Sequence, residues 1–96
     1  MDLTISPNPA DPLITVKVID GGLDLVVDFT TDDALAMAGE LREFARYDPD
    51  GSYTLGLRSP EGRTAGLQLT SDAARTVATH LEKAVKVVEH RERTSG

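Results

Sequence analysis

The chain has no cysteine among its 96 residues. Disulfides, thiolate nucleophiles and cysteine-bound zinc are therefore excluded, and a reducing cytoplasm is the compartment this absence suits. Histidine occurs only at His80 and His90. On one predicted helix the two point in unrelated directions, without the i, i+4 spacing of a metal pair. No apolar run approaches the ~20 residues of a membrane span. The opening MDLTISPNPADP lacks the basic and apolar regions of a signal peptide. Positive charge is also scarce: ten Lys and Arg stand against sixteen Asp and Glu, a net charge of −6. That balance argues against a general nucleic-acid binder, which needs clustered cations for phosphate.

What is present suits one globular domain. Hydrophobic residues make up 40% and charged residues 27%, within the range of folded proteins. Arginine outnumbers lysine seven to three, and alanine, aspartate and valine are plentiful, a bias that matches a high-GC bacterium or one of its phages.

SPNPADP at 6–12 holds three prolines, each fixing φ and removing a donor. Residues 1–12 are thus predicted as a flexible arm, in which Leu3–Ile5 form either a short edge strand or nothing regular. From Leu13 the pattern alternates: Ile14, Val16 and Val18 share one face, and after Gly21-Gly22 so do Leu23, Leu25, Val27 and Phe29. A two-residue turn there pairs Val18 with Leu25, Val16 with Val27 and Ile14 with Phe29, all on one face. The period then changes to 3.6. Thr30 is a helix cap, Asp32 and Asp33 suit the positive end of the dipole, and Ala34, Met37, Ala38, Leu41, Phe44 and Ala45 form a stripe.

The plan recurs. Tyr53, Leu55 and Leu57 alternate, SPEG turns the chain, and Ala65, Leu67 and Leu69 return. Thr70 caps a second helix with the stripe Ala74, Val77, Ala78, Leu81, Ala84, Val85 and Val88, running to about His90. Residues 92–96 are predicted to fray. The helices and the strands leading into them match at an offset of 40, the outgoing strands at 39. The match reads either as an internal duplication of 13–48 and 52–91 or as two amphipathic units converging on one pattern.

The expected fold is therefore α+β: a β-β-α-β-β-α pseudo-repeat over residues 13–91, folded as a two-layer sandwich. Its four-stranded antiparallel sheet carries both helices on one face. Two strand orders fit, placing side by side either the strands starting at Leu13 and Tyr53 or those ending at Phe29 and Leu69. The alanine-rich helix stripes make a thin core, which a homodimer would relieve by burying more surface.

No catalytic constellation is legible. DPDG at 48–51 departs from a calcium loop at its fifth and twelfth positions, Ser52 and Ser59. PEGRTAG lies between strands, whereas a phosphate loop opens a helix. Asp24 and Asp28 flank Lys17 across the hairpin, which predicts cross-strand charge pairing. The uncovered sheet face carries the candidate site: Lys17, Ile19, Val26, Gly56, Arg58, Gly66 and Gln68. Gly56 falls opposite Gly66, leaving bare backbone that another molecule can approach. These features predict a non-enzymatic module that binds another protein, as a homodimer in the cytoplasm, with no cofactor or metal. Two alternatives are a nucleic-acid-associated regulator using Lys17, Arg58 and Arg63, and a small-ligand enzyme.

Overall fold

A computed structural model describes residues 2–95; Met1 and Gly96 lie outside the described residues, as does the side chain of Ser95. The chain is α+β, with five strands in two antiparallel sheets and two helices: β1 Asp2–Pro7, β2 Leu13–Asp20, β3 Leu23–Thr30, α1 Thr31–Tyr47, β4 Tyr53–Arg58, β5 Thr64–Leu69 and α2 Ser71–Ser95. β1, β2 and β3 form one sheet in that order, and β4 pairs with β5 in the other.

The alternating pattern sets both hairpin registers. Val18 pairs with Leu25, Val16 with Val27 and Ile14 with Phe29. Gly21 adopts φ 61°, the left-handed backbone that the first central residue of a tight hairpin turn demands. In the second hairpin Leu55 pairs with Leu67 and Gly56 with Gly66. One contiguous core then joins Ile14, Val16, Val18, Leu25 and Val27 to Leu55, Leu57, Leu67 and Leu69 and to the apolar stripes of both helices. Most of the alternate strand residues are exposed, so the helices cover one face only. The shortest principal dimension is 18 Å, the thickness of a helix layer laid on a sheet.

The helix starts follow from their caps. The Thr30 hydroxyl accepts a hydrogen bond from the Asp33 amide at 3.1 Å, and the Thr70 hydroxyl accepts from the Ala73 amide at 3.2 Å. Each satisfies an amide that the first turn leaves without a partner. At the other end of α1 the Asp48 amide donates to the Phe44 carbonyl. The following turn is tied to α2, where the buried Ser71 hydroxyl donates to the Pro49 carbonyl at 2.9 Å.

Three expectations are corrected. First, the arm holds the edge strand that is one of the two alternatives for Leu3–Ile5, extended to Asp2–Pro7: β1 pairs antiparallel with β2, with Leu3 opposite Val18 and Ile5 opposite Val16. Two apolar residues on the core face suffice because the rest of the ladder already exists. The proline-rich stretch is a bonded turn, in which the Asn8 side-chain oxygen accepts from the Ala10 and Asp11 amides. Arg91 anchors it from α2 by donating to the Asn8 carbonyl at 2.6 Å.

Second, the strands do not form one four-stranded sheet. β1 takes the edge of β2 that one of the two expected orders needed for β4. The other order needed β3 beside β5. No ladder joins those strands; instead Arg63 donates to the Asp24 carbonyl on β3 at 3.4 Å.

Third, the expected tail at 92–96 is helical as far as Ser95. The last turns hold Glu89, His90, Arg91, Glu92 and Arg93 without a glycine or proline. Glutamate and arginine are good helix formers, and the Thr94 hydroxyl donates to the His90 carbonyl there.

Candidate interaction surface

Strand alternation puts every second residue of the sheets on the side away from the helices. All seven residues of the candidate site are exposed there, but the two sheets divide them. Lys17, Ile19 and Val26 lie on β2–β3; Gly56, Arg58, Gly66 and Gln68 lie on β4–β5. Arg63, from the loop of the second hairpin, makes a link between the two groups through its bond to Asp24.

Ile19 is 41% and Val26 45% exposed. Ile19 pairs with Asp24 and Lys17 with Val26, so the two apolar side chains are diagonal neighbours on one face, a spacing of roughly 7–8 Å. A Cβ added at Gly56 would meet nothing within 4 Å, and one at Gly66 would touch only the Thr54 methyl at 3.7 Å. The backbone between these glycines is therefore uncovered and free of strain. Around the apolar pair the face is acidic: Asp28 accepts a hydrogen bond from the Thr15 hydroxyl at 2.6 Å. That bond replaces the cross-strand charge pairing expected of Lys17, which makes no ion pair among the described residues.

The best-formed polar cluster lies elsewhere, where the helices meet. The Arg42 guanidinium donates to both carboxylate oxygens of Glu82, at 2.6 and 3.1 Å, and to the Thr79 hydroxyl at 3.0 Å. Hydrogen bonding from Arg42 holds the Glu82 carboxyl below its ordinary range, against a smaller opposing effect of burial; the nearby charges of Arg42 and Lys86 assist. The same bond raises Arg42 further. Sequence reasoning missed this contact. The signal was present in the offset, because residues 42 and 82 are equivalent positions of opposite charge on two helices that pack together.

On the far flank of α1, the Tyr53 hydroxyl donates to Glu40 at 3.3 Å and its ring lies 5.4 Å from that of Phe44. Burial, helped by the Glu40 charge and hydrogen bond, pushes the Tyr53 phenol above its ordinary range. Among the described residues no group of three or more His, Cys, Asp or Glu side chains could hold a metal ion. No helix of the described residues is long and apolar enough to cross a membrane.

No family model matches the chain, and no curated protein or solved structure matches it.

Proposed function

We propose that the chain is a small non-enzymatic protein-binding module of the cytoplasm that docks through its uncovered sheet face and pairs there with a second copy of itself. The observation that carries this reading is the diagonal pair Ile19 and Val26, each more than 40% exposed, on the side that no helix covers. Burying two such side chains is favourable by roughly 25 cal/mol per Å² of apolar area. The bare backbone at Gly56 and Gly66 lets a partner approach without displacing side chains. A thin core built on alanines gains from any further burial.

The two β-β-α halves are read as copies of one unit. Their support is the repeated threonine cap and the meeting of Arg42 with Glu82 at the same offset. A nucleic-acid role has less support, because Asp24 and Asp28 share the face with Lys17 and would oppose phosphate.

The reading is tested by recording amide chemical shifts across a dilution series. Concentration-dependent shifts should cluster at Lys17, Ile19, Val26, Gly56 and Gly66. Shifts confined to other parts of the chain, or none, would remove it.

A further inference from the structure

A groove separates β1 from α2. Leu3, Ile5 and Pro7 form its strand wall, and His80, Lys83 and Val87 stand on its helix wall. One stretch has a volume of about 230 Å³ and the next about 100 Å³, and they share Ile5 and His80, so the channel is continuous. It runs beside a strand whose outer edge is free, because β1 ends the order β1-β2-β3 and nothing pairs beyond it among the described residues. A free edge offers amides and carbonyls in register for one more strand. Val87 is 47% exposed at the groove, a large apolar side chain on the outer side of α2.

The charge of the groove runs against that of the chain. The net charge is −6, yet no carboxylate lines either stretch; Lys83 lines one of them, and the His80 imidazole, a hydrogen-bonding group, lines both.

We infer that the free edge of β1 and this groove bind an extended segment of another protein as an added strand. Apolar side chains of that segment fill the groove at alternate positions, and a carboxylate between them meets Lys83 and His80. Backbone bonding to β1 supplies affinity and the groove supplies the choice of side chains, because alternate residues of a strand face one side. A second copy is the poorer occupant. Its own β1 would present Leu3, Ile5 and Pro7 to the groove, with no carboxylate. Two-fold pairing would also bring two Lys83 ammonium groups together. This surface is separate from the sheet face, so the two readings stand or fall independently.

The test uses the whole chain and three pools of short synthetic peptides with capped ends. All alternate threonine with valine or isoleucine; the central groove-side position is aspartate or glutamate in one pool, asparagine or glutamine in the second, and lysine or arginine in the third. The acidic pool should shift the amides of residues 3–6 and 80–87, and bind at least about tenfold more tightly than the basic pool. Lys83→Glu, at an exposed position, should reverse that order while leaving the amide spectrum elsewhere unchanged. Equal affinity for all pools, binding mapped away from β1 and α2, or no binding at millimolar peptide would overturn the inference. Concentration-dependent shifts at β1 without peptide would do the same, by giving the edge to a second copy.

Discussion

Arg42 and Glu82 are 40 residues apart in the chain and joined by two hydrogen bonds in space, one from each of two guanidinium nitrogens to each carboxylate oxygen. The pair bridges the helices at matching positions, one residue beyond Leu41 and Leu81 of the two stripes. Because its side chains are 43% and 36% exposed, solvent screens it, and its contribution is that of a geometrically good surface pair rather than a buried one. Its effect should be visible chiefly as coupling. Arg42→Ala and Glu82→Ala should each lower the melting temperature slightly, and the double variant should lose less than the sum of the two. Strict additivity in thermal melts would show that the contact carries no energy.

The same pair gives a pH dependence. The folded state depresses Glu82, so it binds that proton more weakly than the unfolded chain. The stabilisation is present above the ordinary carboxylate range and lost as pH falls through the depressed folded value. The difference in melting temperature between the wild-type chain and Glu82→Gln should therefore shrink on acidification. A difference that stayed constant or grew would contradict the assignment.

Tyr53 has the opposite sign. Its phenol is raised by burial and by Glu40, so the associated stability is present below the ordinary tyrosine pKa of about 10 and lost as pH rises through the raised value. In a Tyr47→Phe background Tyr53 is the one remaining tyrosine. Its absorbance titration should have a midpoint above that of the urea-unfolded chain, and Glu40→Gln should lower it.

The two caps should behave alike. Thr30→Ala and Thr70→Ala each remove a side-chain acceptor from an amide of the first turn, and each should cost about 1 kcal/mol in urea unfolding. The core is less forgiving. Leu41 and Leu81 are fully buried at matching points of the two stripes, and either replaced by alanine should cost about 2–5 kcal/mol. That is a large share of the stability of so small a domain.

Much of this build is legible in the sequence, for identifiable reasons. Alternation from Ile14 to Phe29 around Gly21-Gly22 admits one register with its apolar residues on a single face, and the chain adopts it. Thr30 and Thr70 stand where a period of 2 gives way to 3.6, which places both helix starts. β1 was harder to read, because its pattern is two apolar residues next to prolines; Leu3 and Ile5 become a strand only with Val18 and Val16 opposite them across the ladder. The division of the sheet was illegible for a related reason. Which edge a strand finds depends on long-range competition, here with β1 occupying the free edge of β2. The candidate residues fell on one face as alternation requires, but periodicity carries no information on which hairpins share a sheet.

In the proposed function the uncovered sheet face is a docking surface on which two copies meet. Sedimentation equilibrium from low to high micromolar concentration tests it most directly, on the wild-type chain beside Val26→Glu and Gly56→Glu. Gly56 has open space for a side chain and Val26 is half exposed, so both variants should keep the wild-type circular dichroism and thermal transition. The wild-type chain should sediment as a dimer at the higher concentrations and both variants as monomers. A wild-type chain that remains monomeric throughout, or variants that dimerise as it does, would contradict the claim.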